Sequence, residues 1–99
     1  MKYTNRINKF FEVTGDMPAQ TRWLLSVMNT AGINVAEFSS KLHMSRTSVY
    51  RFLRCENELS YIEINAIINV FQTNDDPDEV MHMIWDDRGK MEVVNEKMQ

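Results

Sequence analysis

Apolar residues recur every three or four positions along most of the chain, the period of helices with one buried face. The helices predicted from this pattern cover residues 3–14, 18–31, 34–42, 45–54, 60–71 and 76–89. All three glycines fall just after a predicted helix, and both prolines fall near a predicted start. The pattern therefore predicts an all-α fold. We expect a small five-helix bundle with an extra N-terminal helix and a short C-terminal tail.

The central stretch, residues 34–54, predicts two short helices joined by a tight turn. Asn34 is a favourable N-cap, and Glu37 completes a capping box three residues later. His43 and Met44 form the turn, after which Ser45 caps the second helix. The positions predicted to be buried in this pair are Ala36, Phe38, Ser39, Leu42, Val49, Phe52 and Leu53.

The outward face of the second helix carries positive charge. Five residues share this side because they are spaced i, i+1, i+4, i+5 and i+8. They are Arg46, Thr47, Tyr50, Arg51 and Arg54. At a rise of 1.5 Å per residue, three arginines and no acid span roughly 12 Å. Arginine suits phosphate oxygens and the O6/N7 edge of guanine, so the pattern favours a recognition helix for the DNA major groove.

The segment from Ile33 to Phe71, 39 of 99 residues, resembles the helix-turn-helix domain of lambda-repressor, Cro and Xre-type regulators. The residues that carry the resemblance are Phe38, Leu42, Met44, Ser45, Arg46, Val49 and Phe52, followed by the helix from Ser60 to Phe71. Two positions depart from the family pattern. Val35 stands where the family often has a glutamine that contacts a phosphate, and His43 replaces the usual turn glycine. A left-handed conformation costs histidine more than glycine.

The resemblance implies a sequence-specific double-stranded DNA-binding transcriptional regulator of bacterial or phage type. By position in the motif, Arg46, Thr47 and Arg51 would contact base edges. The residues placed at the DNA backbone are Ser40, Lys41, Ser45, Tyr50 and Arg54. We expect a homodimer, because one short helix makes too few contacts for specificity. Its two copies would meet half-sites about 34 Å apart.

The charge is divided unevenly along the chain. Net charge is −3, but residues 1–55 hold eight Lys/Arg and three acids, whereas residues 56–99 hold three Lys/Arg and eleven acids. The first part is therefore +5 and the second −8, which allows DNA to bind one end of the molecule. An alternative hypothesis follows from the acidic half. With Trp85 and the apolar tail it would form a partner surface, as in an antitoxin or another interaction module for which DNA binding is secondary.

The two ends of the chain allow more than one interpretation. Residues 1–89 are predicted to form a single helix-turn-helix domain, in which the stripe of residues 3–14 is either core or a dimer contact. The tail, residues 90–99, fits a short strand, a continued helix or a loose arm that serves dimerisation. Outside the motif, the positions predicted to be buried are Trp23, Leu24, Val27, Met28, Ala31, Tyr61, Ile64, Ile67, Ile68, Phe71, Val80, Met81, Ile84 and Trp85.

The sequence holds no recognisable catalytic or cofactor motif. His43 and His82 are 39 residues apart and have no ligands at metal spacing, so we expect neither a metal nor a cofactor. An enzyme built from His82, Asp86 and Asp87 is the weakest alternative. The lone Cys55 fits a reducing cytosol and is either inert or a redox sensor. No apolar run is long enough for a membrane span and no signal peptide is recognised, so we expect a cytoplasmic protein.

Overall fold

The computed structural model describes the backbone of residues 11–98 and the side chains of residues 11–87. Within that range the chain forms five α-helices and no strand, which confirms the predicted all-α bundle. The helices are α1 (Ala19–Ala31), α2 (Val35–Lys41), α3 (Arg46–Leu53), α4 (Tyr61–Phe71) and α5 (Pro77–Met98). The first four begin and end within one residue of the predicted positions. None of the helices in the described part of the chain has the length and apolar character needed to cross a membrane.

Both predicted capping boxes are present. The Asn34 side chain accepts a 2.8 Å hydrogen bond from the backbone N–H of Glu37, whose carboxylate in turn accepts from the backbone N–H of Asn34. Ser60 and Glu63 make the same reciprocal pair at the start of α4, at 3.2 and 2.9 Å. These bonds satisfy N–H groups that have no partner within the helix, so α2 and α4 start where their own sequences direct.

The start of α1 is capped by a distant residue. Pro18 precedes the helix and offers no side-chain cap. Instead, the backbone N–H of Ala19 donates a 3.0 Å hydrogen bond to the Asp87 carboxylate in α5. An acceptor with negative charge is favoured at a helix N-terminus because of the exposed N–H groups and the helix dipole. The bond therefore connects the first turn of α1 to α5.

The core contains buried residues from all five helices, and α1 contributes the most of them. The predicted positions that are buried are Trp23, Leu24, Val27, Met28, Phe38, Ser39, Val49, Phe52, Leu53, Ile64, Ile67, Ile68, Val80 and Ile84. Those that are half-buried are Ala36, Leu42, Phe71 and Met81. The Phe71 ring stacks on Phe38 with centroids 5.1 Å apart, which ties α4 to α2.

Three residues predicted to be buried are exposed instead: Ala31, Tyr61 and Trp85. Tyr61 is the first residue of α4, and side chains lean toward a helix N-terminus, which directs a side chain at this position away from the turns that pack on the core. Trp85 lies outside the inward stripe of α5, which passes through Val80 and Ile84. At the end of α1, Ile33 rather than Ala31 continues the buried surface.

The prediction that a helix ends at Gly89 is wrong, because the backbone of α5 continues to Met98. A glycine ends a helix when it adopts the left-handed conformation, as Gly32 does at φ 67° after α1. Inside a helix, glycine costs only about 1 kcal/mol relative to alanine, so neighbouring residues can carry the helix through it. Of the alternatives for the tail, the continued helix is the one observed over residues 90–98.

The predicted N-terminal helix, residues 3–14, is wrong where it can be checked. Residues 11–14 are not helical, and the rest of the prediction lies outside the described residues. Phe11 is nevertheless buried against the core. Asn29 of α1 holds its backbone from both sides, accepting from the N–H of Phe11 at 2.6 Å and donating to its carbonyl at 2.9 Å. These side-chain bonds replace the ones a helix would make.

Candidate nucleic-acid interface

The second and third helices are joined by a four-residue turn, residues 42–45. His43 adopts the left-handed conformation, with φ 55°. The backbone N–H groups of His43 and Met44 donate to the carbonyls of Ser40 and Ser39 at 3.2 and 3.0 Å, which closes the end of α2. The turn therefore has the backbone shape that glycine favours, although histidine occupies it.

The third helix has one buried face and one polar face. Val49, Phe52 and Leu53 are buried in the core, as predicted. On the opposite side, the exposed residues of the predicted DNA surface are Arg46, Thr47, Arg51 and Arg54. Tyr50 is half-buried and packs against the core, so only part of its side chain is accessible to a partner.

Three predicted backbone contacts lie at the turn between α2 and α3. Ser40 and Lys41 are exposed at the end of α2, and Ser45 is exposed immediately before α3. The Ser45 hydroxyl is also the N-cap of α3, since it accepts a 3.1 Å hydrogen bond from the backbone N–H of Ser48. The turn thus gathers a positive charge and two hydroxyls next to Arg46, at the N-terminal end of α3.

The arginines of this surface differ in their surroundings. Arg54 pairs with the carboxylate of Glu56, and both side chains remain about half-exposed, at 47% and 52%. Arg46 and Arg51 are exposed, and neither has a salt bridge among the residues whose side chains are described. Arg54 therefore has part of its charge neutralised by Glu56, which is not the case for Arg46 or Arg51 in the described part of the chain.

Gln20 in α1 holds the C-terminal end of α3 from behind. This side chain is only 4% exposed. Its amide nitrogen donates to the carbonyls of Phe52 and Asn57, both at 2.8 Å, and its amide oxygen accepts from the N–H of Leu59 at 2.9 Å. All three bonds are buried or partly buried, where an unpaired polar group is expensive. They fix the end of α3 and the following loop relative to α1.

Thr21 adds a neighbouring bond, since its hydroxyl donates to the carbonyl of Leu53 at 2.7 Å. Sequence reasoning missed both Gln20 and Thr21 because polar residues in a first helical turn usually face solvent. A signal was present. Gln20 stands four residues before Leu24 and Thr21 seven before Met28, so both continue the buried stripe of α1.

Of the residues considered for other chemistry, His82, Asp86 and Asp87 line one open surface pocket together with Arg22 and Glu79. Cys55 is exposed with φ 59°, and its sulfur lies 3.5 Å from the hydroxyl of Thr21. The His82 ring lies edge-on to Trp85, with centroids 6.3 Å apart, while Asp87 caps α1. In the described part of the chain, no three His, Cys, Asp or Glu side chains are grouped so as to hold a metal ion.

Acidic side chains lie beyond the C-terminal end of α3 and along the start of α5. Glu56 and Glu58 are exposed in the loop that follows α3. Asp75 accepts a 3.0 Å hydrogen bond from the indole N–H of Trp23, whereas Asp78 and Glu79 are exposed in the first turn of α5. Glu56 and Glu58 therefore give the basic surface an acidic border in the loop just after Arg54, which would repel a nucleic acid placed there.

Comparison of the chain with protein-family models, with curated proteins and with solved structures found no match. The function is therefore inferred from the residues of the site.

Proposed function

We propose that this protein is a sequence-specific double-stranded DNA-binding transcriptional regulator of bacterial or phage type. The observation that carries the proposal is the state of Arg46 and Arg51. Both guanidinium groups are exposed on one side of a helix whose other side is buried, and neither has a carboxylate partner among the described residues. A rigid, unneutralised pair of arginines is suited to the edges of guanine in the major groove.

The contacts divide by position along α3. Arg46, Thr47 and Arg51 would contact base edges. The DNA backbone would be held by Ser40, Lys41, Ser45, Tyr50 and Arg54. Backbone contacts fix the register of the protein without selecting a sequence, while base contacts select it. The bonds from Gln20 and Thr21 hold the C-terminal end of α3 against α1, which favours a constant orientation of the side chains on its outer face.

We further propose that the protein acts as a homodimer in the cytoplasm. A helix of eight residues offers two or three base contacts, which is too few to find one site in a genome. Two copies related by a two-fold axis would read two half-sites about 34 Å apart, one turn of DNA. The preferred DNA sequence should then be palindromic.

Selection of bound sequences from random duplex DNA tests this function. We expect the enriched sequence to be palindromic, with half-sites one turn of the DNA helix apart. Binding to that duplex should weaken steeply as salt rises, because phosphate contacts release counterions. Two variants test the surface: Arg51→Ala removes a positive charge from it, and Glu79→Ala, a control for substitution elsewhere, removes a negative charge from α5. Loss of selectivity in the first variant alone supports the assignment. Selection that yields no enriched sequence contradicts it.

The acidic half supports a second candidate function, a protein-interaction module such as an antitoxin. The observation that favours it is Trp85, whose side chain is 53% exposed. Met83, Asp78, Glu79 and Asp86 are also exposed on the same helix. An aromatic anchor bordered by acids suits a basic partner. If a basic protein encoded nearby forms a stable complex with the chain, and Trp85→Ala abolishes it, this function is supported.

A further inference from the structure

The fourth helix is apolar on its outer face as well as its inner one. Ile64, Ile67 and Ile68 are buried in the core. On the opposite side, Ile62 is 81% exposed and Val70 is 46% exposed. Ala66, which is also exposed, lies between them at intervals of four residues, so the three form one stripe. A surface helix normally has one apolar stripe, which faces the core, so a second apolar stripe on the outer side of α4 indicates that something covers it.

Charge distinguishes the stripe of α4 from the other outer faces as a contact between two copies of this chain. In a two-fold dimer the same patch of both copies meets, so a charged patch repels itself. The outer face of α3 carries Arg46 and Arg51, and that of α5 carries Asp78, Glu79 and Asp86. The stripe of α4 is uncharged. It can therefore face its own copy, which the outer faces of α3 and α5 cannot do without repulsion.

We infer that α4 packs antiparallel against α4 of a second copy, with Ala66 on the two-fold axis. This inference rests on the homodimer of the proposed function and names its interface. With Ala66 at the axis, Ile62 lies opposite Val70 of the second copy. Alanine lets the two helices approach closely. Glu63, the sole charged residue of α4, lies on one flank of the stripe rather than in it, so its carboxylate stays at the edge of the contact.

The surface beside the stripe extends the apolar area. Ala66 and Glu63 line a pocket of about 90 Å³, together with Leu42 and Met44 of the α2–α3 turn, both of which are half-buried. A stable dimer buries roughly 800 Å² per partner, more than three side chains supply. The neighbouring turn supplies further apolar contact. The interface would therefore adjoin the DNA-binding turn while leaving the outer face of α3 open.

The first experiment measures molar mass by sedimentation equilibrium in the absence of DNA. We expect the parent chain to be a dimer and Ile62→Glu to show a twofold fall in mass. Adding Val70→Lys to Ile62→Glu should restore the dimer, because the new carboxylate and ammonium meet between copies. Within one chain these positions are two helical turns apart. Trp85→Glu makes the matched change on α5 and should remain dimeric. Circular dichroism establishes that each variant is folded.

The second experiment uses a symmetric disulfide. In a Cys55→Ser background, Ala66→Cys places one thiol from each copy at the axis and should yield a covalent dimer under mild oxidation. Helix axes about 8–10 Å apart bring the two Cα atoms to within the range that a disulfide spans. Asp86→Cys in the same background is the control and should remain a monomer on a denaturing gel.

These measurements separate the interface from the function. A monomeric parent chain, a dimeric Ile62→Glu variant, failed restoration by Val70→Lys or absence of the Ala66→Cys cross-link would each overturn the inference. If the dimer behaves as expected but DNA selection fails, the interface stands and the proposed function does not. If a monomeric parent still selects a half-site, the DNA surface stands and this interface does not.

Discussion

The side-chain amide of Gln20 donates a 2.8 Å hydrogen bond to the backbone carbonyl of Phe52, 32 residues further along the chain. Together with the bonds to Asn57 and Leu59, it anchors the end of the proposed recognition helix to α1. A side chain that makes three bonds in a buried position links the stability of the fold to the orientation of the DNA-binding surface.

Replacing this side chain should therefore destabilise the protein. Gln20→Ala leaves two carbonyls and one N–H without their partner, which should lower the free energy of unfolding by about 2–4 kcal/mol. Gln20→Glu keeps the acceptor for Leu59 but loses both donors, so it should also be destabilising. Ser26→Ala, at an exposed position of α1, is the control. Urea titrations measure all three, and a Gln20→Ala variant as stable as Ser26→Ala would contradict this role.

Arg51→Ala should lose discrimination at one base pair. If Arg51 forms a bidentate contact with a base, its removal should cost about 1–3 kcal/mol of preference for the selected duplex over one altered at that position. Affinity for unrelated DNA should change much less. Fluorescence anisotropy with the two duplexes measures the difference. Discrimination equal to that of the parent chain would mean that Arg51 does not contact a base.

Arg54 and Glu56 should act on all DNA sequences alike. Arg54→Ala should weaken binding to every duplex and make the dependence on salt shallower by about one phosphate contact. Glu56→Gln should have the opposite effect, because it releases Arg54 from its partner. Since exposed ion pairs are worth up to about 1 kcal/mol, binding should tighten by no more than about fivefold. Binding is measured for both variants over a range of salt concentrations. If the slope of log binding constant against log salt is unchanged in Arg54→Ala, Arg54 does not contact the DNA.

His43→Gly should stabilise the protein. His43 is exposed and holds φ 55°, a conformation in which glycine has no steric penalty. The gain should be about 0.5–1 kcal/mol, reduced somewhat because glycine is more flexible when unfolded. His43→Ala also removes the imidazole, but alanine still has a steric penalty at positive φ, so this variant should not be more stable than the parent chain. Thermal unfolding of the two variants measures both changes in stability. Equal changes would indicate that loss of the imidazole, rather than the backbone conformation at residue 43, causes the effect.

Local sequence determined most of the secondary structure. Asn34 with Glu37, and Ser60 with Glu63, set the starts of α2 and α4, because each box closes within three residues and needs nothing from the rest of the fold. The buried and exposed faces of α3 could also be predicted from the sequence, since they follow from the helical period alone. The predicted exposure of Arg46 and Arg51 agrees with the structure for this reason.

Tertiary structure decided the features that depend on distant residues. The cap of Ala19 by Asp87 joins positions 68 apart, and the hydrogen bond from Gln20 to the carbonyl of Phe52 joins positions 32 apart. Trp85 is an apolar residue that is exposed, and Gln20 is a polar residue that is buried. In both cases the chemical type of the residue predicts the wrong burial. Period and propensity indicate which side of a helix is apolar, but burial is decided by which other helix packs there.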